Sequence, residues 1–363
     1  MKRYLHLAIL AVCAAAAPAA AQQAPEIRYE ANTGIISLPA YGEVAGVATN
    51  SRGHLFVYAR TGHPVATLGD ERTFYHGNAR LFEFDANGTF VREIGGGTYG
   101  FDFAQQVRVD PQDNIWAVDA GSNVLTKFDS QGRLLMVIGR KPEAISVRPG
   151  PGMPARLVDD HDAAPAPARG GGGAAATRPP GSGTQSESFN RPADIAFDRD
   201  GNVYIADGIG TNNRIAVFNR DGNWVRGWGQ TGSAAGQFDR IRGIVTDAAG
   251  NVYVADSGNN RIQVFDSQGA FKSQIAGIGS PQALCITSSS PQYLYSSNSN
   301  DAESMDHGEI YKIGLDGKVV GRFGRAGRIP GEFGMVNSLD CRSENTVWVG
   351  EVWNWRATKV SLK

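Results

Sequence analysis

Histidines are the residues of this chain best suited to bind a metal or to transfer protons. Five follow the first twenty residues: His54, His63, His76, His161 and His307. His54 falls in a predicted hairpin turn, and His161 falls in a Pro/Gly-rich tract. His63 and His76 lie in one long segment between predicted strands and are candidates to face one end of a site together. Two histidines without a third ligand make a poor zinc site, so we predict no metal and no cofactor. Calcium stays an open alternative, because scattered carboxylates and carbonyls suffice to bind it.

Other catalytic motifs are missing from the sequence. There is no G-x-S-x-G elbow and no H-E-x-x-H pair. The run GGGG at 170–173 is not followed by Lys-Ser or Lys-Thr, so it is not a phosphate-binding loop. Trp353 and Trp355 flank Asn354 near the C-terminus, where two indoles could stack on a sugar or a peptide. We expect them instead to pack between blades, because burying an indole removes a large apolar area from water.

The elements that position these residues are repeated. One unit reads as an apolar pair, an Asp, a Gly-Asn turn and a β-branched run that ends in Ala-Asp. The clearest copies are PADIAFDRDGNVYIAD (192–207), IRGIVTDAAGNVYVAD (241–256) and AQQVRVDPQDNIWAVD (104–119), with weaker copies from 44, 282 and 336. The Gly-Asn step suits a hairpin that needs positive φ, and the β-branched run suits a buried strand.

Two further strands follow each pair, as in RIAVFNRDGNWVRGWG (214–229). Four strands per unit at a period of about 40–50 residues are typical of a propeller blade. We therefore predict an all-β fold, a six-bladed β-propeller with four-stranded blades. The last copy ends at ATKVSLK without a fourth strand, so we expect the N-terminal segment EIRYEANTGIISL to close the last blade.

Innermost strands of a propeller converge on a central channel, so the residues that begin them should line it. The first such positions are Ala45, Gln105, Ala193, Arg242, Gln282 and Asn337, and the next are Gly46, Gln106, Asp194, Gly243, Ala283 and Ser338. Asp194 and Arg242 come from neighbouring blades and are candidates for an ion pair. The ring is either a ligand site or a network that satisfies itself around water.

The N-terminus predicts export. Lys2 and Arg3 precede an apolar run too short to span a bilayer, which ends in the small-residue pattern of Ala19 and Ala21. We predict a signal peptide at 1–21, a single propeller domain at 22–363 and a secreted or periplasmic location. No later apolar stretch has membrane-spanning length. The net charge of −1 argues against a nucleic-acid partner, and we expect a monomer.

Two features are not explained by the repeats. Cys285 and Cys341 are one position out of step in equivalent strands, so we expect two buried thiols, although an oxidising compartment permits a disulfide. Residues 141–188 are rich in Pro, Gly and Ala and are predicted to form a mobile insertion between blades two and three. A lid over a site is the alternative for this tract.

A family resemblance is carried by the repeats. FNRPADIAFDRDGNVYIAD and GQFDRIRGIVTDAAGNVYVADSGNNRIQVF resemble NHL repeats. Together with VAGVATNSRGHLFVYARTGHP in blade one, their order is similar to the propeller of the peptidyl-α-hydroxyglycine α-amidating lyase family. Arg60, His63 and Pro64 match a motif of that family. The similarity covers most of residues 40–360 outside the insertion.

The resemblance implies a zinc ion in the channel, held by three histidines. At the corresponding positions this sequence has Gln105, Arg242 and Asn337, and none of these is a good zinc ligand. A family tyrosine corresponds to Ile209 and a family arginine to Ser257, so only Arg60 is retained. The resemblance therefore implies the scaffold, while these substitutions argue against lyase chemistry.

Two functions follow from these observations. The first is a non-catalytic scaffold that binds a peptide, a glycan or a protein on one propeller face. Its candidate binding residues are Arg60, His63, Gln105, Asp194, Arg242, Gln282, Asn337, Trp353 and Trp355. The alternative is a divergent lyase- or hydrolase-type enzyme that uses Arg60, His63 and a channel acid. We favour the first because every zinc histidine is replaced.

Overall fold

A computed structural model describes residues 24–36, 42–61, 65–67, 73–75, 79–140, 188–299 and 308–363. These residues form six four-stranded antiparallel sheets, and their helical content is one 3₁₀ turn, Ser257–Asn259. The predicted six-bladed β-propeller is therefore confirmed. The predicted signal peptide and His63 lie outside the described residues, and so does the predicted insertion apart from Ser188.

Each blade is a meander whose first strand is innermost, and the N-terminal strand β1 (Tyr29–Asn32) precedes them all. Blade one contains β2 (Glu43–Thr49), β3 (Leu55–Arg60), β6 (Ala79–Phe84) and β7 (Phe90–Ile94), with a side hairpin of β4 (Val65–Thr67) and β5 (Thr73–Tyr75). Blade two contains β8 (Ala104–Val109), β9 (Ile115–Asp119), β10 (Val124–Phe128) and β11 (Leu134–Gly139). Blade three contains β12 (Pro192–Phe197), β13 (Val203–Asp207), β14 (Arg214–Phe218) and β15 (Trp224–Trp228).

The second half of the ring repeats this arrangement. Blade four contains β16 (Ile241–Thr246), β17 (Val252–Asp256), β18 (Arg261–Phe265) and β19 (Phe271–Ala276). Blade five contains β20 (Ser280–Ile286), β21 (Tyr293–Ser299), β22 (Glu309–Gly314) and β23 (Val319–Phe323). Blade six contains β24 (Val336–Ser343), β25 (Thr346–Glu351) and β26 (Arg356–Leu362), and its outer strand is β1.

The two ends of the described chain meet in blade six. β1 pairs antiparallel with β26, from Tyr29 opposite Leu362 to Asn32 opposite Lys359. The Tyr29 hydroxyl donates a hydrogen bond to the Gly331 carbonyl, and its ring lies 5.4 Å from that of Phe323. The predicted closure by the N-terminal segment is confirmed, and it covers the edge of β26.

The hydrophobic core is divided among the six blade interfaces, with one buried cluster between each neighbouring pair. Trp116 of blade two packs against Phe197 of blade three, with ring centroids 5.6 Å apart. Trp348 of blade six shares a cluster with Val44 and Val57 of blade one. Every blade therefore buries both faces against its neighbours, and the ring is continuous.

All six innermost strands begin at one face of the propeller, which we call the top face. Second strands end there and third strands begin there. The described ends of three long connections, at 61 and 79, 140 and 188, and 299 and 308, lie at the same face. Long connections between rigid elements often carry function, so the top face is the first place to look for a site.

Cys285 and Cys341 form a disulfide between blades five and six, with their Cα atoms 5.9 Å apart. The expectation of two free thiols was wrong. Leu339 and Cys341 alternate normally onto the side of blade six that faces blade five, and Ala283 and Cys285 onto the side of blade five that faces blade six. The shift of one position puts the two cysteines on opposite sides of equivalent strands, and in neighbouring blades those two sides face each other. In the described part of the chain, no helix has the length and apolar character needed to cross a membrane.

We predict that β1 is required for a stable monomer. A protein that starts at residue 37 lacks the strand that covers β26, so its thermal midpoint should fall by about 5 °C or more and it should self-associate. A protein that starts at Ala24 keeps every described residue and is the matched control. Calorimetry and light scattering measure both effects. A monomer with an unchanged midpoint after removal of β1 would contradict the closure.

Candidate functional site

Buried carboxylates organise the top face. In blades two, three, four and six the second strand ends in an acid that is almost fully buried: Asp119, Asp207, Asp256 and Glu351. Each accepts a backbone N–H from the segment that leads into its own innermost strand, as Asp207 does from Asn190 at 2.8 Å and Asp256 from Asp239 at 2.7 Å. We call these residues the strand-end carboxylates. They fix the point at which each innermost strand begins.

An arginine at the start of the third strand compensates three of these acids. Arg214, Arg261 and Arg356 donate to Asp207, Asp256 and Glu351 at 3.0, 2.7 and 2.7 Å. Burial nevertheless raises the pKa of Asp207, against the opposing effect of Arg214. Buried charges are tolerated only when they are paired and hydrogen-bonded, so this arrangement is costly to disturb.

A bulge near the start of each innermost strand presents one residue to the channel. The bulge positions are Ala45, Gln105, Ala193, Arg242, Gln282 and Asn337. They are the six channel positions that the repeats predict. Bulges commonly re-aim a side chain at functional sites, and here they occur at the same place in every blade.

Three of the bulge residues are amides that bind one another. Asn337 Oδ1 accepts hydrogen bonds from Gln282 Nε2 at 3.1 Å and from Gln105 Nε2 at 3.4 Å. Asn337 Nδ2 donates to the carbonyls of Ala45 and Gln105. Gln105 and Asn337 belong to blades two and six, which are not neighbours, so these side chains meet across the axis. We call Gln105, Gln282 and Asn337 the amide lock.

Asp194 does not pair with Arg242, as the sequence suggested. Its carboxylate binds Arg108 of blade two in a two-pronged ion pair, at 2.8 and 2.6 Å. Arg108 also donates to the carbonyls of Leu339 and Leu284, in blades six and five. This pair therefore closes the channel below the amide lock. Sequence reasoning missed Arg108, although it lies two residues after Gln106 and so shares the face of β8 that Gln106 presents to the channel.

Ala59 holds the register position of the strand-end carboxylates in blade one, and Arg60 is the residue that follows it. Its guanidinium donates to Glu43 at 3.1 Å, to the Ala104 carbonyl at 2.8 Å and to Gln105 at 3.2 Å. It also lies 3.7 Å above the ring of Phe103. Burial lowers the pKa of Arg60 in spite of Glu43. Arg60 thus lies beside Gln105 at the channel mouth, and each of its three nitrogens already donates one hydrogen bond.

Arg242 has no hydrogen-bond or ion-pair partner among the described residues, and it is only partly buried. Burial and three other arginines, Arg240, Arg191 and Arg60, lower the pKa of Arg242 to about 10. The side chain therefore stays charged at neutral pH, beside charges of the same sign. It sits where the bulge of blade four meets the channel mouth.

Trp353 and Trp355 are exposed, with 44% and 61% of their surface accessible, so the expected packing between blades was wrong. They follow β25 at the top face, and the Trp353 backbone donates to the Gly334 carbonyl beside the start of β24. Asn354 between them binds the strand-end carboxylate Glu351 at 2.7 Å. The hydrogen bond from Asn354 to Glu351 thus holds the turn, and both indoles are left facing solvent.

The residues at the implied zinc positions do not fit zinc. Two of them, Gln105 and Asn337, are neutral amides bonded to each other, and the third is the guanidinium of Arg242. Within the described ranges, no three His, Cys, Asp or Glu residues are grouped to hold a metal. His54 lies at the opposite face and binds Glu83 at 2.8 Å. The other five histidines of the sequence, His63 among them, fall outside the described residues.

Sequence comparison agrees with the repeat pattern. The NHL repeat family matches residues 189–218 and 238–265, which belong to blades three and four. A protein of Caenorhabditis elegans named probable peptidyl-alpha-hydroxyglycine alpha-amidating lyase is 23% identical over 190 residues. The match covers 50% of this chain and 43% of that relative, so the chain spans less than half the length of the curated protein it matches. The NHL repeats and the weak relation to an amidating lyase are both as predicted.

Solved structures share the fold at low identity. A streptogramin B lyase is 12% identical with a TM-score of 0.54, covering 92% of this chain and 98% of its own. A gluconolactonase from Xanthomonas campestris is 14% identical with a TM-score of 0.56, covering 94% and 95%. At these identities the likeness shows the propeller alone, since one fold hosts many activities.

We predict that Arg242→Met stabilises the fold at low ionic strength. A guanidinium whose pKa is lower in the folded than in the unfolded chain costs stability at every pH below its folded pKa, about 10 here. Methionine keeps the apolar stem and removes the charge, so the free energy of unfolding should rise by about 1–2 kcal/mol at pH 7, after allowance for solvent screening.

Urea unfolding at pH 7 measures this change. Arg220→Met is the matched control, because Arg220 is exposed in the turn between β14 and β15 at the opposite face. Its substitution removes the same charge and should leave stability unchanged. A loss of stability in Arg242→Met would mean that Arg242 has a stabilising partner.

Proposed function

We propose that this chain is an exported, ligand-binding propeller that holds its ligand at the top face and does not carry out zinc-dependent lyase chemistry. The observation that carries this proposal is the amide lock. At two of the three positions where the family resemblance implies zinc ligands, Gln105 and Asn337 use their polar atoms on each other, on Gln282 and on backbone carbonyls. The third position carries a cation, which repels a metal ion.

The top face has the features of a binding surface. Its long connections start and end there, and two exposed tryptophans stand on a turn that Glu351 fixes through Asn354. Exposed indoles on a fixed turn recognise the apolar faces of sugars and the side chains of peptides with little loss of conformational entropy. A peptide, a glycan or a protein segment is therefore the class of ligand we propose for this face.

Export is supported by two independent features. The N-terminal pattern of Lys2, Arg3 and the apolar run up to Ala21 is that of a secretory signal. The Cys285–Cys341 disulfide suits an oxidising compartment, because cytosolic thiols are kept reduced. We propose a periplasmic or secreted location on these grounds.

We predict that the purified protein binds a defined subset of an immobilised library of oligosaccharides and peptides, and that Trp353→Ala/Trp355→Ala weakens this binding about tenfold or more. The loss follows from the stacking energy of two aromatic rings. Dissociation constants for the retained probes, measured by biolayer interferometry, test the expectation.

Leu134→Ala/Leu135→Ala is the matched control. These leucines are 57% and 54% exposed at the opposite end of blade two, so the variant also removes two exposed apolar side chains. Binding should be unchanged in the control. No retained probe, or equal loss in both variants, would contradict binding at the top face.

A further inference from the structure

Three arginines of the top face lie at the channel mouth on neighbouring blades. Arg191 and Arg240 directly precede the innermost strands of blades three and four, and Arg242 is the bulge residue of blade four. Arg191 and Arg240 hold equivalent positions. An asparagine from the preceding blade accepts each backbone N–H, Asn123 for Arg191 at 2.8 Å and Asn213 for Arg240 at 2.9 Å. The repeat itself therefore fixes where both side chains begin.

These charges are uncompensated within the described chain. No described carboxylate forms an ion pair with Arg191, Arg240 or Arg242, and none of the three has another described hydrogen-bond partner for its guanidinium. The pKa of Arg242 is lowered by burial and by the charges of other arginines, and no acid contributes to the shift. In contrast, Arg108, Arg214 and Arg261 each bind a buried acid. The chain as a whole carries a net charge of −1, so this local excess is not a consequence of composition.

The channel beneath the three arginines is closed. Gly46 and Gly243 lie directly below the bulges, where innermost strands approach closely: an added Cβ would stand 2.5 Å from Val107 N and 2.7 Å from the Gln282 carbonyl. Further down, the Arg108–Asp194 pair fills the axis. A ligand can therefore reach Arg242 only from the top face, and it would meet Arg191 and Arg240 on the way.

We propose that Arg191, Arg240 and Arg242 form an anion-binding site that takes an oxyanion with more than one negative charge. Three guanidiniums offer fork-shaped donors that match phosphate and carboxylate oxygens. A single carboxylate neutralises one charge of three, so a phosphate group or a cluster of carboxylates is favoured over a monoanion. This inference deepens the proposed function, because the anionic group would belong to the ligand held at the top face.

Isothermal titration calorimetry at low ionic strength tests the site, with inorganic phosphate, citrate and acetate as probes and chloride as the background ion. Phosphate or citrate should bind one per chain, and acetate at least tenfold more weakly. Arg242→Met should lower the affinity for the probe that binds at least tenfold. Added sodium chloride should lower this affinity too, because salt screens the attraction between the anion and the arginines. Tighter binding of phosphate would indicate a ligand with a phosphate group, and tighter binding of citrate would indicate a ligand with clustered carboxylates.

Two variants make the result specific. Arg220→Met removes an equal charge from the opposite face and should leave the affinity unchanged. Arg242→Lys keeps the charge and should retain part of the affinity, which a merely structural role of Arg242 would not predict. Circular dichroism confirms that each variant is folded. The absence of saturable binding, or equal affinity of wild type and Arg242→Met, would overturn the proposal.

The inference and the proposed function fail in different ways. If library probes bind through Trp353 and Trp355 but neither phosphate nor citrate binds, the anion site is refuted and the binding face stands. If phosphate or citrate binds through Arg242 but no library probe is retained, the peptide or glycan ligand is refuted and the anion site stands.

Discussion

The burial of a carboxylate at the end of the second strand is the constraint on which the rest of this propeller depends. A buried acid needs several donors, and here they are the backbone before the innermost strand and, in three of the four blades, the arginine that starts the third strand. One side chain thus ties three segments of a blade together, as Asp207 does through Asn190 and Arg214. The bulge that follows then presents a residue to the channel. The strand-end carboxylates therefore hold in place the bulge residues that determine the chemistry of the channel.

Two blades break this rule, and both exceptions fall at the top face. Ala59 takes the position of the acid in blade one, and Arg60, the next residue, contacts blade two and adds positive charge to the channel mouth. Asn298 takes the position in blade five, and both atoms of its buried amide lack hydrogen-bond partners in the described chain. Departures from a repeat that costs energy to break are typical of functional sites. The likeness to the lyase and lactonase structures is therefore a likeness of fold.

Local pattern was enough to predict the blades, the closing strand and the six channel positions, because strand alternation and turn residues are read within one repeat. It failed where the outcome depends on register between repeats. Asp194 binds Arg108 because that arginine lies one pleat deeper in the preceding blade, and Cys341 meets Cys285 because neighbouring blades present opposite sides of the repeat to each other. The exposure of Trp353 and Trp355 depends on how Glu351 holds their turn, which no local pattern shows.

The most direct test of the central claim is the zinc content of the purified protein after dialysis, measured beside the variant Gln105→His/Arg242→His/Asn337→His. These positions come from blades two, four and six, which alternate around the axis. Three imidazoles placed there should create a zinc site that the natural side chains do not form. We expect about one zinc per chain in the variant and a negligible amount in the natural protein. About one zinc per natural chain would contradict it.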